Sequence, residues 1–498
     1  MREEQDAAAS ETSKEKNPGI GRSTLINLAG LLVPTVVGLA TVPLYLKEIG
    51  EVRYGVLLLA FTFLGYFGAF DLGLGRAVAQ RIARQDDITE RNHTFWTAFL
   101  ISSAMGIIGA IILFVLGHWL FATIFRIPAN LRTEMENAIP WLAAIVPLTA
   151  VISVLAGALE ARQAFLALSI SQMTGVIGLQ VLPLAVALIG HTSMPILLAA
   201  ALTGRLIGVV VMIAATAHTL PLHGTPHVHQ TEIGPLLRFG GWISVSGLTT
   251  PFLSIVDRFF VGGMIGAAAV TAYTVPYSLT QRFAYLPLAL STTLFPRFSK
   301  SNEENTRQLL NDGILALVAI QTPLIVLAIV LMHPFFNLWI GHVLATTYYP
   351  VAIILLIGVW INGPNYVPHN LLPAQGRPDI MAKFYIFELI PFLALLWIFV
   401  AWLGIYGAAI SWMLRSAADA IFCFIVTNSM KVFLRGITPT VPAISLSIIA
   451  SCMHLSAVNT IILGILSVLL ATGTSWFIAP PALKIKVTKL NWLNTNGR

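Results

Sequence analysis

Long apolar stretches alternate with short polar ones from residue 25 to residue 479. Each stretch is close to the ~20 residues that a helix needs to cross ~30 Å of hydrocarbon. The pattern therefore predicts an all-α integral membrane protein with about fourteen transmembrane helices. The predicted spans are 25–46, 54–75, 95–117, 139–159, 165–189, 195–217, 239–261, 267–295, 313–332, 350–372, 384–403, 405–428, 439–456 and 459–479.

The longest polar connection between spans, 218–238, divides the predicted helices into six, six and two. Six spans in each half give both halves the same orientation. The sequence thus predicts two six-helix lobes in a parallel pseudo-twofold arrangement, related by an axis along the membrane normal, plus two C-terminal helices. The predicted organisation is a disordered cytoplasmic tail (1–19), an N-lobe (20–217), a cytoplasmic linker (218–238), a C-lobe (239–428), spans 13 and 14 (429–480) and a basic cytoplasmic tail (481–498).

Lysine and arginine are distributed very unevenly between the two sides of these spans. Of 29 basic residues, 21 fall on the side of the N-terminus, four on the opposite side and four inside apolar stretches. Cytoplasmic loops retain basic residues, so both termini are predicted to be cytoplasmic in a multi-pass protein of the bacterial inner membrane.

Composition narrows the functional classes. The chain is 56% hydrophobic and 10% charged, with a mean hydropathy of +0.81, which is typical of a polytopic membrane protein. Its net charge of +7 matches loops that face anionic lipid, so no nucleic-acid partner is predicted. Two cysteines form no disulfide framework, and no nucleotide-binding loop, catalytic signature or large extramembrane loop is present. No catalytic residue, metal or cofactor is therefore predicted. Four linker histidines (His218, His223, His227, His229) lack the other ligands of a metal site.

Four arginines inside the apolar stretches are the candidate substrate-binding residues, since a cation at bilayer depth is costly and usually functional. Arg282 is the first choice because no acid lies within one helical turn of it. Arg205 lies between two glycines that also suit close helix packing. Arg415 has Asp419 on the same helical face, which leaves a purely structural ion pair as an equal alternative. Arg258 lies near a span end, where its side chain can also reach the membrane surface.

Four acidic residues are candidates for coupling or gating. Asp257, Glu388 and Asp419 are the candidates if transport is coupled to protons, because titration of a buried carboxylate is the usual device. Asp71 lies toward a cytoplasmic span end, where it could line the entrance and form a salt bridge in one conformational state.

Several short motifs in order along the chain resemble one family. The first group is Pro43, Ile49–Gly50, Tyr54–Gly55 and Asp71–Gly75. Later groups are Asp257–Phe259 with Gly262 and Gly266, then Tyr273 and Phe295–Pro296, then Ala374–Asp379, Glu388 and Gly404–Gly407. Residues 20–428 resemble polysaccharide flippases of the multidrug/oligosaccharidyl-lipid/polysaccharide exporter superfamily.

The resemblance implies two six-helix lobes around a central cavity that opens alternately to each side. It also implies movement of undecaprenyl-diphosphate-linked sugar repeat units from the cytoplasmic to the periplasmic leaflet, for surface polysaccharide such as O-antigen or exopolysaccharide. The expected partners are the lipid-linked oligosaccharide, the lipid bilayer, and a polysaccharide polymerase with chain-length machinery. Guanidinium groups suit this substrate because they bind phosphate oxygens bidentately.

Three other functions are compatible with part of the pattern. A drug/cation antiporter of the same superfamily would need an acidic cavity, which three central arginines disfavour. A lipid II flippase also has fourteen spans. A membrane glycosyltransferase or polymerase ranks last, since it would need a large extramembrane loop.

Overall fold

The structure is a computed structural model that describes residues 20–67, 73–220, 226–298, 302–377, 379–453, 456–481 and 484, with side chains outside 20–32, 235–251 and 457. Over these ranges the chain forms helices and no strands. The helices are α1 (Ile20–Phe67), α2 (Leu74–Ile82), α3 (Ile88–Trp119), α4 (Ala129–Ala161), α5 (Phe165–Leu188), α6 (Met194–Thr219), α7 (Gln230–Met264), α8 (Ala267–Thr280), α9 (Tyr285–Phe298), α10 (Glu303–Ile340), α11 (His342–Asn362), α12 (Tyr366–Ala374), α13 (Asp379–Leu403), α14 (Ile405–Val426), α15 (Met430–Ile437), α16 (Val441–Cys452) and α17 (Ala457–Ile478).

Eleven helical segments of the described residues are long and apolar enough to cross a bilayer. One of them contains Gly50, whose φ of 74° and ψ of 167° are not helical, so α1 comprises two helices joined at a kink. Together with α7 and the α8–α9 pair, the described chain has fourteen crossing elements. The prediction of an all-α membrane protein with about fourteen spans is confirmed.

Three crossing elements are built from two shorter helices joined by a single 3₁₀ turn: Gln281–Ala284, Gly363–Asn365 and Thr438–Thr440. Proline explains the first break. Pro287 has no N–H to donate to the carbonyl of Phe283, so a regular α-helix cannot continue through this point. The break interrupts the eighth predicted span close to Arg282.

The chain separates into two compact units. The first comprises Met1–Ile49, Phe63–Ala122 and Pro128–Leu248, and the second comprises the remainder. Two pieces that the sequence assigns to the N-lobe, Gly50–Thr62 and Thr123–Ile127, belong to the second unit. Glu51 shows how the first of these pieces is attached: its carboxylate accepts a 2.8 Å hydrogen bond from the Tyr348 hydroxyl, and its carbonyl accepts one of 2.8 Å from Thr271.

In the first unit, glycines allow the backbones of α5 and α6 to contact each other. A Cβ on Gly204 would lie 2.3 Å from the Gly178 carbonyl oxygen, and one on Gly208 would lie 2.4 Å from the Gly175 Cα. Small residues at such crossings let the two backbones contact each other in lipid, where apolar side chains gain no hydrophobic drive to associate.

The second half of the predicted linker packs on the first unit. Glu232, at the start of α7, forms a 2.7 Å ion pair with Arg81 and accepts a 2.9 Å hydrogen bond from Thr94. The ring of His229 stacks on His93 with centroids 3.5 Å apart. Residues 226–234 are therefore docked on α2 and α3.

Candidate functional site

Arg415 lies at the centre of an ion cluster in the second unit. Its Nε donates a 2.6 Å hydrogen bond to Oε1 of Glu388 on α13, and its Nη2 lies 3.9 Å from Oδ2 of Asp419 on its own helix. Its Nη1 donates to the carbonyl of Leu253 on α7 at 3.3 Å, and its guanidinium lies 5.1 Å from the ring centre of Phe392. The Asp419 contact expected from sequence is present, but Glu388 is the closer partner.

Glu388 and Asp419 share Arg415 as a common partner. Oε2 of Glu388 and Oδ1 of Asp419 are both buried, and neither has a donor among the described residues. Ionised carboxylates have no proton to donate, whereas a proton on either group would supply a donor. One guanidinium and two ionised carboxylates together carry one negative charge in excess, which uptake of one proton would neutralise.

Asp257 directly precedes Arg258 on α7, and its side chain is fully buried. Its Oδ2 accepts a 2.5 Å hydrogen bond from the Tyr273 hydroxyl of α8, and its Oδ1 accepts one of 2.8 Å from the backbone N–H of Arg258. The carboxylate is thus held by hydrogen-bond donors, which satisfies a group that would otherwise be costly to bury.

Arg258 faces a group of aromatic rings. Its guanidinium lies 4.5 Å from the ring centre of Tyr277, and its Nη1 donates a 3.2 Å hydrogen bond to the Ser254 carbonyl. Tyr277 in turn packs edge-on against Trp412 of α14 with centroids 5.7 Å apart. A cation over an aromatic face is attracted by the ring quadrupole, and its remaining donors stay available to a ligand. The Nε of Arg258 has no partner among the described residues.

Arg282 lies in the 3₁₀ turn between α8 and α9, in the middle of the eighth crossing element. Its guanidinium donates to the hydroxyl of Tyr285 and lies 5.5 Å from the centre of that ring. Among the residues that the structure describes, no carboxylate forms an ion pair with Arg282. Its environment therefore differs from that of Arg415, which two acids surround.

Arg205 lies in the first unit, beside the glycine contacts of α5 and α6. Its guanidinium lies close to Gly175, where an added Cβ would be 3.7 Å from Nη1. Its Nε is buried and has no hydrogen-bond partner within the described ranges. Arg205 thus belongs to a different unit from Arg258, Arg282 and Arg415. Asp71 lies outside the described residues.

Sequence reasoning did not identify the aromatic and backbone groups that complete the site. Tyr273, Tyr277 and Phe392 contact the candidate charges, as does the Leu253 carbonyl, and Trp412 packs against Tyr277. Aromatic residues are common at helical spacing in membrane spans, so a pattern along the chain gives no sign of which ring faces a charge.

A helical protein with fourteen crossing elements and several charges at bilayer depth belongs to the class of polytopic membrane transporters. Comparison with known proteins identifies the family. Residues 50–347 match the family described as polysaccharide biosynthesis protein, and this match covers more than half of the chain. The chain belongs to this family, which confirms the resemblance found in its motifs.

A curated relative from Shigella flexneri, described as a candidate O-antigen transporter, is 26% identical over 402 residues, covering 80% of this chain and 96% of the relative. Among solved structures, the lipid II flippase MurJ in an inward closed conformation has a TM-score of 0.72 at 14% identity and covers 90% of this chain and 98% of its own. An inward-facing multidrug resistance transporter of the MATE family, within the MOP superfamily, has a TM-score of 0.65 at 15% identity and covers 82% and 98%. These two structures establish the fold that this chain shares.

Proposed function

We propose that this protein is an alternating-access flippase for undecaprenyl-diphosphate-linked oligosaccharide repeat units. It moves them from the cytoplasmic to the periplasmic leaflet of the bacterial inner membrane for surface polysaccharide assembly, and it is a transporter rather than an enzyme. The observation that carries the proposal is Arg282, a cation in the middle of a crossing element with no acidic partner among the described residues. Membership of the polysaccharide biosynthesis family supports the sugar-bearing substrate.

The four arginines take different parts in this proposal. Arg282 binds the diphosphate or an acidic sugar, because its donors are free of carboxylates within the described chain. Arg258 is a second contact, held over Tyr277 with donors to spare. Arg205, in the first unit, is a further proposed substrate contact, because its Nε has no partner among the described residues. Arg415 is occupied by Glu388 and Asp419, and it reaches substrate when these contacts are exchanged during transport.

The similarity to an O-antigen transporter supports a role in surface-polysaccharide assembly. The product is a lipid-linked repeat unit in the outer leaflet, so a polysaccharide polymerase and chain-length machinery are the proposed partners. The excess of basic residues on the side of the N-terminus supports cytoplasmic termini. A lipid II flippase and a drug/cation antiporter remain alternatives, because both folds are similar.

Removal of the gene should stop surface-polysaccharide export and cause lipid-linked repeat units to accumulate in the cytoplasmic leaflet. The measurement is the fraction of this lipid that a membrane-impermeant, sugar-oxidising reagent reaches from the periplasm, with labelling of peptidoglycan in the same strain as a control. Normal exposure of the lipid-linked sugar would refute the proposal, and loss of peptidoglycan labelling would instead indicate a lipid II flippase.

The Glu388–Asp419 pair is the proposed coupling element, and Asp257 is a third candidate carboxylate in the same unit. Uptake of one proton removes the excess charge beside Arg415 and so favours one arrangement of α13 and α14 over another. The titratable groups near the pair are Arg415, Tyr366, Tyr385 and Cys423. Arg415 itself also contacts the Phe392 ring and the Leu253 carbonyl.

The variant Asp419→Asn should transport at a rate that no longer responds to an imposed proton gradient, because the amide cannot take up the proton. Proteoliposomes carrying the full-length protein and lipid-linked substrate provide the measurement, with wild-type protein in the same lipid as the reference. A response equal to that of the wild type would exclude the pair from coupling.

A further inference from the structure

An apolar groove lies beside Arg282 on the second unit. Its volume is about 270 Å³, and every residue that lines it is apolar. One wall is a single stripe of α10, with residues at spacings of three and four, and the other is Leu279 of α8 with Phe283 of the 3₁₀ turn. The α10 residues are Leu324, Leu327, Ala328, Leu331, Met332 and Phe335.

The groove has a buried base and more exposed sides. Met332 is 4% exposed, whereas Leu331 is 50% and Leu327 is 42% exposed. The stripe from Leu324 to Phe335 extends about 16 Å along α10 at the rise of an α-helix. The groove is therefore elongated, and its open side is apolar along this length.

Arg282 neighbours both of the groove residues that its own element contributes. It follows Leu279 by three residues and directly precedes Phe283, and residues three and four apart in a helix are neighbours on one face. The break at Gln281–Ala284, imposed by Pro287, interrupts the α-helix at this point. A cation and an elongated apolar groove are thus adjacent.

The depth of Arg282 in the membrane indicates which kind of lipid would place its phosphates beside this residue. The residue is fifteen positions from the start of α8 and sixteen from the end of α9, which is more than ~20 Å along the axis in each direction. A hydrocarbon core is ~30 Å thick, so Arg282 is close to mid-bilayer. A resident phospholipid keeps its phosphate at the surface, whereas a lipid in transit must bring its phosphates to this depth.

We infer that the groove binds the polyprenyl chain of the lipid carrier while Arg282 holds its diphosphate. The inference rests on the proposed function and adds the place where the lipid part of the substrate lies. The charge of the guanidinium is complementary to the diphosphate, and the apolar stripe of α10 matches an isoprenoid chain in chemistry, with a length that takes the first few isoprene units next to the diphosphate. A phosphatidylglycerol molecule or a second copy of the protein would not require a cation at mid-depth.

The test is native mass spectrometry of the purified full-length protein with a long-chain polyprenyl diphosphate. Leu327→Trp and Leu331→Trp fill the groove at two levels, and each should reduce carrier binding at least ~10-fold, equivalent to about 1.4 kcal/mol. Leu338→Trp is the matched control, since Leu338 is on the same helix, is 92% exposed and does not line the groove. Wild-type protein should bind the diphosphate more strongly than the corresponding polyprenol, and Arg282→Ala should remove this difference.

Wild-type affinity in both groove variants would overturn the inference, as would full displacement of the carrier by phosphatidylglycerol or a dimeric mass that the tryptophans abolish. Surface-polysaccharide export measured in the same variants separates this failure from failure of the proposed function. Normal carrier binding and export in Leu327→Trp and Leu331→Trp, with export lost in Arg282→Ala, would refute the groove and leave the flippase. No carrier binding by wild-type protein, together with normal export in a strain lacking the gene, would refute both.

Discussion

Replacement of Arg282 by alanine is expected to abolish surface-polysaccharide export while the amount of membrane-inserted protein stays at the wild-type level. The guanidinium forms no ion pair with the carboxylates of the described residues, so its removal leaves no buried acid uncompensated. Charge-assisted hydrogen bonds to a ligand contribute ~1.5–3 kcal/mol each, so loss of one or two should reduce transport by at least ~10-fold.

Arg282→Lys should restore only part of this activity. Lysine keeps the charge but replaces a planar, bidentate donor with a compact ammonium, which fits a diphosphate less well. Arg307→Ala is a suitable control, because Arg307 is an exposed arginine in the first turns of α10. The measurement is surface glycan and membrane protein level in one strain for each variant. Normal export from Arg282→Ala at a normal protein level would eliminate the assignment.

Replacement of Arg415 by alanine is expected to lower the amount of folded protein instead. The side chains of Arg415, Glu388 and Asp419 are 11%, 6% and 13% exposed, so removal of the cation leaves two buried carboxyl groups without their common partner. Breaking a buried ion pair from one side costs ~3–5 kcal/mol, which is a large part of the stability of most proteins. Thermal unfolding in detergent, with membrane protein level, measures the effect.

Two further variants make this expectation specific to the buried charges. Combining Arg415→Met with Glu388→Gln and Asp419→Asn should recover much of the lost stability, because neutral groups remain. Lys383→Ala should change stability little, since Lys383 and Asp379 form an ion pair of 3.0 Å whose side chains are 79% and 52% exposed. An unfolding temperature of Arg415→Ala equal to that of the wild type would show that the cluster is not a structural element.

The difference between these two arginines could be predicted only in part from the sequence. An acid four residues away is a local feature of a helix, so the contact between Arg415 and Asp419 was visible along the chain. Glu388 is 27 positions from Arg415 and on another helix, and only the packing of α13 against α14 makes it the closer partner at 2.6 Å. The hydrogen bond from Tyr273 to Asp257 likewise joins two helices and has no signature along the chain.

The sequence by itself determined the class of the protein, because the bilayer imposes a fixed length of apolar helix and a fixed preference for basic loops. It also identified the costly arginines, since each is visible as a charge within an apolar run. Only the tertiary structure decided which arginines are neutralised and that an apolar groove forms between α8 and α10 beside Arg282. These features depend on contacts between helices far apart in the chain, and helical periodicity shows which residues share a face but not what that face meets.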